Sequence, residues 1–294
     1  MNKIKFDADR WWLGAHSPLN FDALKDADRV AVINTGWARH PRDYGSLMVT
    51  LANKGVFPLS VDVRYGYANQ DKLSSKGSVS LLKKLATQPY NAGSSNTYFP
   101  NATERDNRGR LRKATATLAI CDSLGIDRFH VLGHSDGGRT ASLVATAVPD
   151  RIDSLTVING VGTGRITDAQ TKAKHTFAKA VSERRELVRQ SEVEFRDLTL
   201  GGLRSTVYTL SHLRRFRNEY RTIAADDGWP ILAEVSQFAP VNVINGVDDP
   251  LISHDDAARN AGLYPNINFI SASGGHNNLW TPAVQKTIAD LIAA

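Results

Sequence analysis

Residues 129–145 read FHVLGHSDGGRTASLVA, with Gly133 and Gly137 two positions either side of Ser135. An apolar run precedes the serine and a helical pattern follows it, so a strand is expected to turn into a helix there. A turn could use any polar residue. A sharp strand-to-helix turn, however, strains the backbone at its apex and thrusts that residue's Oγ out at the sheet's C-terminal edge. Neighbours two positions away then approach so closely that side chains would clash, which glycine avoids. The first N–H groups of the helix point at the same place, where they can stabilise developing negative charge. That context favours a nucleophilic serine over a turn serine.

A serine hydroxyl is barely nucleophilic at neutral pH. It needs a base, and the base needs an acid to orient it. In an open α/β sheet both are expected on loops at the C-terminal ends of strands. Two such loops follow downstream. PVNVING (240–246) runs into VDDPLIS, which offers Asp248 and Asp249, and INFISAS (267–273) runs into GGHNNLW, which offers His276. Serine, then aspartate, then histidine is the chain order expected of this architecture.

The elements that must carry these loops alternate from Arg29 onward between short apolar runs and helical patterns, the mark of a parallel sheet built from βαβ units. Strands are expected at VAVINTG (30–36), VFPLSVDV (56–63), RFHVLGHS (128–135), IDSLTVING (152–160), 240–246 and 267–273. Helices are expected at 43–55, 110–126, just after Ser135, at 255–263 and at the C-terminus. Residues 67–108 form a long polar connection with a short helix predicted near 80–86. After VGTG (161–164) the pattern becomes purely helical for about 60 residues, with a break at Gly201-Gly202. No element is predicted before residue 29, where Trp11-Trp12 are expected to act as packing anchors.

With these residues in place, the chain from Arg29 to its C-terminus resembles the α/β-hydrolase superfamily. GHSDGG is similar to its nucleophile elbow, GVDDPLIS to its acid loop, SGGHNN to its histidine loop and DVRYG (62–66) to its Asp-x-Arg-Gly segment. The resemblance implies the α/β-hydrolase fold: a mostly parallel central sheet flanked by helices, with a core of residues 1–162 and 227–294 and a helical cap of 163–226. It favours Asp249, immediately before Pro250, over Asp248 as the acid. It also implies backbone oxyanion donors at Trp37 and Asp136, with Thr35 standing where the family usually has histidine before Gly36. The cap would place Phe177 and Phe216 toward the substrate pocket, and His40 in WARHPRDY is either a pocket residue or a surface one.

Other candidates have plainer readings. His134 is expected to pack or hydrogen-bond beneath the elbow. His254-Asp255-Asp256 fits a helix start better than a metal site. The Asp136 side chain is expected to be solvated or to cap a helix, with a cationic substrate group as the sharper alternative. Cys121 reads as a small buried hydrophobe.

The net charge of +6 is concentrated between 165 and 225, where 13 Lys/Arg face 7 Asp/Glu; the rest of the chain balances, 23 against 23. A solvated outer face explains this surplus, and recognition of an anionic substrate or an acidic carrier protein are the sharper readings. No run of apolar residues reaches the roughly 18 of a membrane helix. The start, MNKIKFDADRWW, lacks a secretory pattern, so a cytoplasmic protein is expected. The expected activity is a serine hydrolase acting on an ester, thioester or activated amide of a small or medium-sized molecule. Carbon–carbon bond hydrolysis, lactone opening and acyl transfer are alternatives on the same residues. A non-catalytic binding module is disfavoured by the intact set of three. No cofactor, metal or nucleic acid is expected.

Overall fold

Eight strands form one sheet in the order β1-β2-β4-β3-β5-β6-β7-β8 in a computed structural model that describes residues 1–8, 11–36, 39, 41–62, 108–166 and 226–294. β3 (Val30–Asn34), β4 (Phe57–Asp62), β5 (Phe129–His134), β6 (Ile152–Ile158), β7 (Val241–Gly246) and β8 (Ile267–Ala272) are all parallel. The apolar runs of β3 and of β5 and β6 between their ends suit strands covered on both faces, whereas β8, at the sheet edge, exposes Asn268 and Ser271. β5 lies centrally, and Phe129, Val131 and Leu132 are wholly buried; each contributes roughly 1.5–3 kcal/mol by leaving water.

Helices cover both faces. α2 (Arg108–Ser123), α3 (Asp136–Ala147) and α4 (Trp229–Val235) pack on one, with Leu118, Val144 and Leu232 in the core. α1 (Gly45–Ala52) and α6 (Pro282–Ala293) pack on the other, around Leu47, Leu51 and Ile288. α5 (His254–Ala261) lies against β8 and β7. Cys121 is buried in α2, and burial pushes its thiol up to about 12, so it acts as a small hydrophobe.

The segment before residue 29, for which no element was predicted, supplies an antiparallel pair at the sheet edge. β1 (Asn2–Ala8) pairs with β2 (Trp11–Ser17), and β2 pairs with β4. The side chains of Trp11 and Trp12 lie outside the described residues, as do DVRYG beyond Asp62, the short helix predicted near 80–86 and the helices of the insertion.

The two roots of that insertion meet. The Gly228 N–H donates to the Gly162 carbonyl at 2.8 Å, and the Trp229 indole N–H to the Thr163 carbonyl at 2.6 Å. Among the described residues, no helix is long and apolar enough to cross a membrane.

Candidate active site

Ser135 sits where β5 ends and α3 begins, with φ 56 and ψ −125. A non-glycine residue with positive φ is uncommon and costly, and it persists only where surrounding structure fixes it. The fixing is visible. Ser135 N–H donates to the Ile158 carbonyl at 3.0 Å, and its own carbonyl accepts from Gly138 and Val161. A Cβ on Gly133 would lie 2.1 Å from the Gly137 carbonyl oxygen, and one on Gly137 would lie 2.2 Å from that of Asn34. Both clashes are with backbone, so no side-chain rotation relieves them. Gly137→Ala is therefore expected to cost about 3 kcal/mol in urea unfolding. Gly55→Ala, at φ +77 with open space around it, is the control and should cost only about 1 kcal/mol.

The histidine loop brings His276 to this turn. Its Nε2 lies 3.0 Å from Ser135 Oγ and its Nδ1 lies 2.8 Å from Asp249 Oδ2. Asp249 is buried, and its other oxygen accepts the N–H groups of Leu251 at 2.8 Å and Ile252 at 3.0 Å. The carboxylate is thus locked by its own loop, with Oδ2 left for the imidazole. Accepting at Nδ1–H, it fixes the tautomer in which Nε2 presents a lone pair to the serine. Asp248 is exposed and does not take this place.

Beneath the elbow, His134 is fully buried. Burial first, then the neighbouring His276, hold its pKa well below the usual imidazole value, so it is neutral. The Tyr44 phenol is pushed upward by burial and keeps its proton. Donor directions follow. Gly36 N–H donates to Tyr44 Oη at 2.8 Å, the phenol donates to His134 Nδ1 at 3.2 Å, and His134 Nε2–H donates to the His276 carbonyl at 2.9 Å. Arg39 ties the same two loops from outside, donating to Asn277 Oδ1 at 2.6 Å while lying 4.6 Å from the Trp280 ring.

Asp136 corrects the expectation of a solvated or capping side chain. It is buried, with Oδ1 2.7 Å from Arg110 Nε and Oδ2 3.0 Å from Lys113 Nζ. Burial alone would raise its pKa, but Lys113 and Arg110 bring it down to about 2. A carboxylate so engaged has little left for a cationic substrate group. The Asp136 backbone N–H, first in α3, has no acceptor among the described residues.

Gly36 lies against the elbow: a Cβ there would be 3.3 Å from the Cβ of Ser135. Trp37, His40, Phe177 and Phe216 lie outside the described residues. His254 opens α5 behind Ser253, whose Oγ accepts the Asp256 N–H at 3.3 Å. Among the described residues, no three His, Cys, Asp or Glu are grouped to hold a metal. Sequence reasoning missed Tyr44, Arg110 and Asn159. Only Asn159 carried a local signal, an asparagine before glycine at a strand end.

Comparison with known proteins agrees with this architecture. A family described as alpha/beta hydrolase fold matches residues 110–229. The "Putative carbamate hydrolase RutD" of Caulobacter sp. (strain K31) is 46% identical over 43 residues, a stretch that spans 15% of this chain and only 16% of that protein. The enol-lactonase from Burkholderia xenovorans LB400 superimposes with a TM-score of 0.62 at 17% identity, covering 98% of this chain and 99% of its own. The 2-hydroxy-6-oxo-6-phenylhexa-2,4-dienoate hydrolase from Rhodococcus sp. strain RHA1 gives 0.64 at 13%, covering 100% and 99%. At such identities the structural likeness speaks for fold. The chain has the α/β-hydrolase fold.

Proposed function

We propose that this protein is a serine hydrolase that cleaves an ester, thioester or activated amide of a small or medium-sized molecule. The observation that carries the reading is the continuous array from Ser135 Oγ through the His276 imidazole to Asp249, at 3.0 and 2.8 Å, on a backbone held at positive φ. Ser135 Oγ attacks the carbonyl carbon while His276 Nε2 takes its proton. The tetrahedral oxyanion is stabilised by the N–H groups of Asp136 and Trp37, and Asp249 stabilises the imidazolium. Collapse expels the leaving group, which takes the proton back from His276. Water, deprotonated by the same nitrogen, then releases the acid and regenerates Ser135. The meeting of residues 162–163 with 228–229 supports reading 163–226 as a self-contained helical cap over this site.

A fluorophosphonate probe followed by peptide mass spectrometry tests the reading. One adduct is expected, on the peptide containing Ser135, and absent from Ser135→Ala. No adduct at Ser135, under conditions that label a control serine esterase, would overturn it. Because the similar folds named above include an enol-lactonase and a dienoate hydrolase, lactones and dienoates belong in the substrate panel beside simple esters.

A further inference from the structure

Asn159 stands one residue beyond β6 and takes no part in the reaction written above. Its backbone is left-handed, φ 46, a conformation that asparagine tolerates better than most residues. Two loops converge on its side chain. Oδ1 accepts the Gly246 N–H at 2.7 Å, at the root of the acid loop. Nδ2 donates to the His276 carbonyl at 2.9 Å and to Asn278 Oδ1 at 2.8 Å, both in the histidine loop. The orientation of the amide is forced, because an N–H can face only its oxygen and a carbonyl only its nitrogen. Asn159 is wholly buried, so no water replaces a lost bond. The loops it joins already touch: a Cβ on Gly246 would lie 2.5 Å from the Gly274 carbonyl oxygen and 2.7 Å from that of Gly275. The His276 carbonyl takes its second hydrogen bond from His134, so both its lone pairs are engaged by buried side chains.

From this we infer that Asn159 is a positioning residue. Its amide sets the spacing between the loop carrying Asp249 and the loop carrying His276, and with His134 it fixes the backbone from which the imidazole reaches Ser135. The inference rests on the hydrolase reading. Asn159 touches no reacting atom, and its effect passes through the His276 backbone. This buried side chain holds two pieces of the proposed catalytic array at a set distance.

Asn159→Gly is the informative variant, because glycine adopts φ 46 without strain and only the side-chain bonds are lost. Turnover of p-nitrophenyl acetate is measured per active site, the sites being counted by fluorophosphonate titration. Displacements near 1 Å around reacting groups are costly, so kcat per site is expected to fall about 10- to 100-fold with little change in KM. A role confined to holding the fold would lower the unfolding temperature and the number of titratable sites. It would leave kcat per site unchanged, and that result overturns the inference. Asn159→Asp keeps the shape and one acceptor but loses both N–H donors. It should show the same fall, and unchanged per-site turnover there is equally damaging. A wild-type protein that the probe does not label would instead bring down the hydrolase assignment, and this inference with it.

Discussion

Ser135→Ala is expected to cut ester turnover about a millionfold and Asp249→Asn about ten-thousandfold, while Asp248→Asn leaves it almost unchanged. The first change removes the atom that the proposed mechanism acylates, and what would survive is the contribution of substrate binding and the proposed oxyanion donors. The second is subtler. Asparagine can still accept the Leu251 and Ile252 N–H groups through its amide oxygen, so the acid loop should keep its shape. The group facing His276 Nδ1 then becomes an NH2, which cannot accept the imidazole proton. The imidazole moves that proton to Nε2, the nitrogen that has to accept the serine hydroxyl. Geometry survives and the proton is on the wrong side of the ring. Initial rates on an activated ester, with unfolding temperature as the control for folding, check all three variants. Turnover of Asp249→Asn close to wild type, or a large loss in Asp248→Asn, would reassign the acid.

Much of this site could be read before any coordinates, and the reason is physical. The elbow shows as a spacing in the chain because the turn itself demands its first glycine, where Gly133 meets Gly137 and Gly138; the second, Gly137, is demanded by Asn34 and Thr35 at the end of β3, distant in sequence, but it falls at the same fixed offset from the serine. The acid and histidine loops follow recognisable strands, so their order along the chain was legible as well. What remained hidden depends on partners distant in sequence. Arg110 reads as one more base in a helix until α2 is laid against α3 and its guanidinium meets Asp136. Tyr44 looks like the start of a helix, and its role appears only when the end of β3 folds over His134. The N-terminal pair is a different failure. Ile4, Phe6 and Ala8 alternate as a strand should, but the signal is short, lies at a sheet edge and is interrupted by charge. Asp136 misled for a further reason: a charged residue beside a nucleophile reads as solvated or as substrate-facing, whereas two cations from α2 draw it into the interior.

That buried cluster makes the second large prediction. Arg110 Nε lies 2.7 Å from Asp136 and its Nη1 2.5 Å from Asp226, at the C-terminal root of the insertion; Lys113 and Arg139 flank the same carboxylates at 3.0 and 3.4 Å. Removing one partner from buried ion pairs leaves charge without adequate compensation, so Arg110→Met is expected to cost about 3–5 kcal/mol in urea unfolding at pH 7. Arg110→Lys should rescue little, because one ammonium cannot serve two carboxylates in the directions that the guanidinium fork does. The pH dependence has a definite sign. Asp136 titrates at about 2 in the folded protein against an ordinary 3.8, so its contribution is fully present above about pH 4 and is lost as pH falls toward 2. With Arg110 gone, burial is opposed mainly by Lys113, so the folded-state value moves back toward the ordinary 3.8 and the stability that Asp136 loses between about pH 4 and pH 2 shrinks. Unfolding series from pH 7 down to pH 2 on both proteins measure this directly. A variant within about 1 kcal/mol of wild type at pH 7, the range of an exposed pair, would mean that the cluster holds neither the elbow nor the insertion root. If the predicted loss is found, the buried carboxylate of Asp136 ties the elbow to α2, and the N–H proposed as an oxyanion donor shares that anchor through the same residue.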